Sequence, residues 1–238
     1  NNIGIRAALN DGYEYIYLLN SDIILENDAF SLMQDRFETS KDVAIVGPHI
    51  VNSIGEYVQF ARPGITFALY LVCRRTLATL FPKLEKKLRF FSYNPEENYV
   101  FDGMLNGCCF GMKASFIREH DCLDENLFMY YEEDVLAYVL KRNCKKALIV
   151  SNAKIIHNEG IATKKSSKDR MLFTRFYRWT SVLYVLRNYA KVNFIICKLI
   201  STINIMEWRL LALRNRAYKE KLQDFVSENK RVLRTVKR

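Results

Sequence analysis

Tyr15–Asp22 reads YIYLLNSD, an apolar run that ends abruptly in Asn20, Ser21 and Asp22. A short, continuous apolar run bounded by polar residues is typical of a fully buried strand. Oxygen-bearing side chains at the carboxyl end of such a strand, here on Asn20 and Asp22, can hold a hard divalent cation against phosphates. Because Asn and Asp also end strands simply by forming turns, this stretch alone leaves both interpretations open.

The flanking sequence alternates between helical and strand patterns. A helix ending at Asp11-Gly12 precedes the apolar run, a short helix is predicted from Asn27 to Glu38, and Val43–Pro48 is a second apolar strand. Farther along, the sequence predicts a helix over 67–80, a strand over 101–113 interrupted at Asn106-Gly107, a helix over 130–141, and short strands over 147–150 and 155–156. This alternation predicts an α/β fold with a mixed, mainly parallel sheet flanked by helices.

Length and composition limit the class of protein. The 238 residues, 50% of them hydrophobic, suffice for one core with an appendage and exclude disorder as the main state. The chain opens on Asn1 and its first residues read as a turn entering a helix, so we expect a fragment that lacks its own N-terminus. The six cysteines show no Cys-x-x-Cys spacing, which predicts reduced thiols in a cytoplasmic protein rather than a zinc or redox site.

The net charge of +10 is concentrated at one end of the chain. From Gly160 to Arg238, Lys and Arg outnumber Asp and Glu by 19 to 5, whereas acids outnumber bases by 21 to 17 in the residues before Gly160. We therefore predict a domain over 1–160 and a basic, mainly helical extension over 161–238. Such an extension favours an anionic partner, either membrane phospholipid or nucleic acid.

Three consecutive acids, Glu132, Glu133 and Asp134, follow an aromatic cluster and begin a predicted helix. Neighbouring carboxylates repel one another, and this raises the free energy of ionising them unless water, a cation or a substrate hydroxyl offsets the repulsion. One of these carboxylates could therefore act as a general base toward a sugar hydroxyl. The alternative is that acids simply favour the first turn of a helix, where the macrodipole stabilises them.

His157 ends the apolar run Ile155-Ile156 just before a flexible, basic stretch. A lone histidine is more often structural than a ligand, but a neutral imidazole can bind a transition metal such as Mn²⁺ or contact a phosphate. Its place in the order of motifs favours the second interpretation.

Taken in order, these motifs resemble those of a family 2 glycosyltransferase with the GT-A (Rossmann-like) fold, and most of all the rhamnosyltransferase-like members that build bacterial surface polysaccharides. The resemblance covers residues 1 to about 165 and rests on six segments: Asn1-Asn2-Ile3-Gly4, Leu18-Leu19-Asn20-Ser21-Asp22, Val46-Gly47-Pro48, Asn106-Gly107, Asp124 to Asp134, and Ile155-Ile156-His157.

The resemblance implies a role for each motif. Asn20 and Asp22 match the Asp-x-Asp element, with Asp22 binding the Mg²⁺ or Mn²⁺ that bridges the nucleotide diphosphate, and His157 completes that site. Asn106 and Gly107 match the segment near the donor sugar and acceptor. Glu132 to Asp134 match the motif that holds the catalytic base. Within this triplet Glu133 is the favoured base and Asp134 is the second choice.

The implied reaction is inverting transfer of a sugar from a nucleotide-sugar, UDP- or dTDP-linked, to a saccharide or lipid-linked saccharide. The family's first strand and its base-binding Asp are not in this chain, so we expect an incomplete nucleoside pocket.

The extension has its own pattern, with Phe173, Phe176, Tyr177, Trp179 and Tyr184 interleaved with bases. Val192–Met206 is apolar but too interrupted to span a bilayer, which favours a helix that lies in the interface or packs on the catalytic domain. We expect a peripheral protein on the inner face of the cell membrane. A catalytically silent scaffold of a polysaccharide assembly complex is one alternative. A nucleic-acid-binding protein is a weaker one, because it would have no use for the acidic triplet.

Overall fold

The computed structural model describes residues 1–73, 82–158 and 167–236. They form a mixed α/β structure that divides into two compact units. The sheet unit comprises the described residues of Asn1–Gly64, Ala78–Glu125 and Glu133–Lys164. The helical unit comprises those of Ile65–Leu77, Asn126–Glu132 and Lys165–Arg238, so it includes two segments from the middle of the chain in addition to the predicted extension.

The sheet unit contains six strands in the order β1-β5-β3-β6-β2, and β4 pairs with β6 beside β2. The strands are β1 (Tyr15–Leu19), β2 (Ile23–Leu25), β3 (Val43–Asn52), β4 (Tyr99–Phe101), β5 (Cys109–Lys113) and β6 (Lys146–His157). The first eight residues of β3 are all buried, as expected for a strand covered on both faces.

The sheet is mixed, as predicted, but the prediction that it is mainly parallel is wrong. Among the described strands only β3 and β6 pair in parallel, whereas β1 with β5, β3 with β5, β2 with β6 and β4 with β6 are antiparallel. Since β5 is antiparallel to both of its neighbours, β1 runs in the same direction as β3 and β6. The carboxyl ends of these three strands therefore point to one edge of the sheet, and β5 is a reversed strand inserted between them.

The helices of the sheet unit are α1 (Asn2–Asn10), α2 (Ala29–Thr39), α4 (Pro82–Arg89), α5 (Ala114–His120) and α6 (Glu132–Arg142), the last of which begins one residue before the unit boundary. Helix α2 begins at Ala29, two residues after the predicted start at Asn27, because the side chain of Asp28 caps it by accepting a bond from the Ser31 amide. Its buried residues, Ala29, Met33 and Phe37, pack with β3 and β6 in one of the unit's two apolar clusters.

The helical unit contains α3 (Phe67–Cys73), α7 (Ser167–Asn188), α8 (Phe194–Arg214), α9 (Arg216–Glu220) and α10 (Leu222–Arg234). Its core is aromatic: the rings of Trp208 and Phe225 stack with centroids 4.0 Å apart, and the Trp208 indole donates to the Tyr218 carbonyl at 3.1 Å. Phe176 and Trp179 pack against this cluster, and Tyr184 is fully buried.

Tyr184 is one of the aromatic residues whose pattern contributed to the expectation of a peripheral membrane protein, but it is fully buried and does not reach the surface. A 22-residue helix with 3.6 residues per turn places side chains on every face, so the spacing of its aromatic residues alone does not show which ones are buried. No helix among the described residues is both long and apolar enough to cross a membrane.

Other boundaries differ from prediction in informative ways. The two short strands predicted near 147–156 are one twelve-residue strand, β6, which has a register irregularity against β3. The strand predicted over 101–113 is split into β4 and β5 by the loop that contains Asn106-Gly107. The flexible, basic stretch expected after His157 lies partly outside the described residues, and helix α7 begins at Ser167. The end of the helix predicted over 67–80 also lies outside the described residues.

Candidate active site

The turn between β1 and β2 carries Asp22, and the end of β6 carries His157. Antiparallel pairing of β2 with β6 places Ile23 opposite His157, so the residue before Ile23 lies next to the imidazole. Asp22 Oδ1 is 3.3 Å from His157 Nε2, and the two side chains are only 12% and 8% exposed. The structure thus brings together two residues that are 135 positions apart in sequence and that the sequence assigned to one site.

The donor set formed by Asp22 and His157 fits a divalent cation that is shared with a substrate. Mg²⁺ is usually held by one or two carboxylates together with phosphate oxygens, and an imidazole ligand shifts the preference toward Mn²⁺. Within the described residues no group of three or more His, Cys, Asp and Glu side chains is placed to hold a metal ion. Asp22 and His157 would therefore supply two ligands to such a cation, and its other ligands would be oxygens from outside the described residues.

Asn20 connects this turn to the Asn106-Gly107 loop. The side chain of Asn20 is exposed, and its backbone amide donates to the Cys108 carbonyl at 2.8 Å, which continues the β1–β5 ladder by one residue. The Cys108 amide in turn donates to the Asn106 side-chain oxygen at 3.1 Å. Three of the predicted motif positions therefore share one bonded loop at the carboxyl end of β1.

The position of that loop depends on Gln59, a residue that sequence reasoning missed. Gln59 is buried; its side-chain oxygen accepts from the Asn106 amide at 2.8 Å, and its side-chain nitrogen donates to the Pro48 carbonyl at 3.0 Å. A buried amide that uses both its donor and its acceptor is a rigid support. Nothing in the local sequence around Gln59 marks this role, because its partners lie 11 and 47 positions away.

Glu133 lies against Gly107. A Cβ atom built on Gly107 would be 2.7 Å from Cδ of Glu133 and 3.0 Å from its Cγ, so only glycine leaves room for this carboxylate. The Glu133 side chain is half-buried and also borders a small apolar cavity with Leu105, Phe110 and Leu136. The first-turn acid that the sequence favoured as base is thus the one next to the Asn106-Gly107 loop.

Asp134 faces a different partner. It is fully buried, and its Oδ2 accepts from the Arg62 guanidinium at 3.0 Å, while the Arg62 side chain is 16% exposed. The Arg62 backbone is itself fixed by paired bonds with Met104 of 2.8 and 3.0 Å. A buried carboxylate with a guanidinium partner is a structural element, so this geometry favours Glu133 over Asp134 as the base.

Glu132 is half-buried at the first position of α6, and the segment before it is conformationally unusual. Tyr130 and Tyr131 have φ values of 66° and 70°, a left-handed conformation that costs bulky residues roughly 1–2 kcal/mol each. Within the helical unit, the Tyr130 hydroxyl is 3.1 Å from the Thr174 hydroxyl, and the Met129 carbonyl accepts from the Ser181 hydroxyl at 2.8 Å. These two hydrogen bonds fix the strained segment that precedes the acidic first turn of α6.

Burial alters the acid–base chemistry of groups around the site. It raises the pKa of the Cys109 thiol to about 12, so this thiol remains protonated at neutral pH and is a poor nucleophile. The pKa of Tyr138, which lies on α6, is raised to about 12 by burial and by the negative charge of Asp134. Among the described residues no disulfide bond is formed by Cys108, Cys109, Cys122, Cys144 or Cys197.

No protein-family model matches this chain, and no curated protein matches it either. The functional assignment therefore depends on the motifs and on the geometry described above.

Proposed function

We propose that the protein is a metal-dependent, inverting glycosyltransferase of the GT-A type. The reaction would transfer a sugar from a nucleotide-sugar, UDP- or dTDP-linked, to a saccharide or lipid-linked saccharide acceptor. The observation that carries this proposal is the convergence of four separately predicted motifs. Asp22 contacts His157, Asn20 is bonded to Cys108, and Glu133 lies against Gly107.

The residues divide into two functions. Asp22 and His157 would hold a divalent cation, whose chemistry is to neutralise the charge that develops on the departing diphosphate. Glu133 would accept the proton of the acceptor hydroxyl as its oxygen bonds to the anomeric carbon and the bond from that carbon to the diphosphate breaks. Because the attack and the departure occur on opposite faces, the anomeric configuration inverts. The mechanism needs no protein nucleophile, in agreement with the raised pKa of Cys109.

The proposal is tested by replacing the metal-binding carboxylate without changing its shape. We expect Asp22→Asn to fold normally and to lose at least about tenfold to a hundredfold in Mn²⁺-dependent affinity for the donor, since even outer partners of a metal ligand contribute that much. The measurement is thermal shift with UDP-, GDP- and dTDP-sugars, with and without Mn²⁺, followed by a transfer assay on the donor that binds.

Asp35→Asn is the matched control, because Asp35 is an exposed carboxylate on α2. Equal metal-dependent binding by wild type and Asp22→Asn would refute the metal site. Tight donor binding by the wild-type protein without turnover on any acceptor would instead favour the silent scaffold.

A further inference from the structure

The helical unit contains a cavity of about 960 Å³ whose described lining residues all belong to that unit. Helices α7 and α8 form most of its wall, and Tyr70 of α3 and Tyr131 complete it. A volume of this size is typical of small-molecule sites. The residues considered above for the cation and for the base, Asp22, His157 and Glu133, belong to the sheet unit instead.

The wall of this cavity is strongly basic. Among the described lining residues there are four arginines and one acid, Glu207; the arginines are Arg170, Arg175, Arg178 and Arg214. Arg175 is held in place, since it donates to the Tyr218 hydroxyl at 2.9 Å and lies over the rings of Trp179 and Tyr218. Arg178 and Arg214 are exposed and form no ion pair with any residue that the structure describes. These guanidinium groups can bind a phosphate, which their planar, forked donors suit.

Asn204 provides an independent indication that the cavity binds a ligand. This residue of α8 is 2% exposed and lines the cavity, and its side-chain nitrogen has no hydrogen-bond partner among the described residues. A buried donor without an acceptor is unfavourable for folding, and an acceptor supplied by a cavity ligand would remove that cost. A phosphate or ester oxygen in the cavity would satisfy it.

Helix α8 also presents an apolar stripe to solvent. Ile195, Leu199, Met206, Leu210 and Leu213 follow one another at helical spacing and are 75%, 59%, 58%, 63% and 82% exposed. The stripe is roughly 27 Å long at the usual rise of an α-helix. Lys198 and Arg209 are exposed on the same helix. An apolar face of this length with flanking bases is typical of a helix that lies in a membrane interface.

The stripe and the cavity are continuous. Leu210 and Leu213 belong to the exposed stripe and also line the cavity, as does Arg214. If the stripe lies among acyl chains, the arginines beside it lie at the level of the phosphates. Trp179 and Tyr70, which also line the cavity, have the amphipathic rings that favour this level of a bilayer.

We propose that the cavity binds the headgroup of an anionic glycerophospholipid while the α8 stripe lies in the membrane surface. Arg178 and Arg214 contact the phosphate, Asn204 donates to one of its oxygens, and Leu210 and Leu213 contact the start of an acyl chain. This assignment goes beyond the proposed catalytic function, and its test does not depend on turnover.

The experiment uses the whole protein and a soluble lipid. Dihexanoyl phosphatidylglycerol below its micellar concentration presents one headgroup without a charged surface, so it reports on the cavity alone. We expect it to raise the melting temperature of the wild-type protein and to bind at least about tenfold more weakly to Arg178→Gln/Arg214→Gln. The control pair Lys219→Gln/Lys230→Gln removes the same charge at exposed positions outside the cavity and should bind like wild type.

Asn204→Leu separates a ligand-binding role from a structural one. It removes the unsatisfied donor, so we expect a higher melting temperature without lipid and a smaller shift with lipid. Unaltered lipid binding by both cavity variants, or no binding by the wild-type protein, would overturn the proposal. An equal response to inorganic phosphate or to a short-chain lipid diphosphate would also overturn it, since the occupant would then be a different phosphate.

Vesicle flotation tests the stripe. We expect the wild-type protein to float with vesicles of phosphatidylcholine and phosphatidylglycerol, and Ile195→Ser/Leu199→Ser to lose most of that binding while keeping its response to the soluble lipid. If this variant lost both vesicle binding and the response to the soluble lipid, or kept both, the stripe and the cavity would not act separately as proposed.

Discussion

The acidic start of α6 and the basic wall of the α7–α8 cavity both contain several like charges. The two regions differ in the partners that the structure gives to those charges. In α6, Asp134 has Arg62 as its partner and Glu133 lies against Gly107. In the cavity, Arg178 and Arg214 have no ion-pair partner among the described residues. The difference shows that a run of like charges has no fixed meaning. The buried Asp134 carboxylate, bonded to Arg62, is a structural element, whereas the exposed Arg178 and Arg214 beside the cavity are available to a ligand.

The largest expected effect concerns the two neighbouring acids Glu132 and Glu133. Removal of a general base typically lowers turnover by a hundredfold to about ten-thousandfold. We expect Glu133→Gln to show this loss with donor affinity retained, and Glu132→Gln to stay within a few-fold of wild type. Single-turnover transfer assays with saturating donor provide the measurement, and the reverse ranking of the two variants would move the base to Glu132.

The second prediction tests whether pairing defines a structural charge. Arg62→Met leaves Asp134 buried without its guanidinium, which should lower the free energy of unfolding by about 3–5 kcal/mol. Arg178→Met removes an arginine without an ion-pair partner and should change it by no more than about 0.5 kcal/mol. Urea unfolding measures both.

Adding Asp134→Leu to Arg62→Met should recover much of the loss, because it removes the uncompensated charge. If Arg62→Met and Arg178→Met were equally stable, the distinction between paired and unpaired arginines would fail.

The third prediction concerns the space that Gly107 leaves. The methyl group added in Gly107→Ala should push aside the Glu133 carboxylate, because that carboxylate is the flexible end of its side chain. The fold should stay intact. Because a misplacement of about 1 Å can lower turnover about a hundredfold, we expect a loss of that order. Gly4→Ala is the control: nothing lies within 4 Å of a Cβ built there, and alanine in a helix should be neutral or slightly stabilising. Normal turnover by Gly107→Ala would show that Glu133 does not need its observed position.

The smallest effect is confined to alkaline pH and tests the raised pKa of Tyr138, which is due first to burial and then to the negative charge of Asp134. The folded-state pKa of Tyr138 is about 12, whereas an unfolded tyrosine has a pKa of about 10. The raised pKa contributes stability that is complete below pH 10 and is lost as pH rises toward 12, because the unfolded chain releases its proton first.

We expect Tyr138→Phe to show a shallower decline in urea midpoint than wild type across this range. Tyr13→Phe should behave like wild type, because Tyr13 is 62% exposed. Identical slopes for Tyr138→Phe and wild type would mean that the Tyr138 hydroxyl does not titrate abnormally.

Much of the candidate site was predictable because its signals are local. The polar end of β1, the Asn106-Gly107 loop, the acids of α6 and His157 at the end of β6 each stand out in a short window of sequence. Gln59 and Arg62 were not predictable in this way. Both lie in an irregular segment, and their roles come from partners that are 11 to 72 positions away.

The sequence by itself determined the elements with the strongest local patterns, because the spacing of apolar residues along a segment reflects how that segment is buried. The apolar runs at β1, β3 and β6 and the cap at Asp28 are of this kind. Only the tertiary structure decided that β5 runs against its neighbours, that Asp134 rather than Glu133 receives Arg62, and that one face of α8 stays exposed. Strand direction, ion pairing and exposure depend on which distant residue occupies the adjoining space, and no local pattern of residues encodes that.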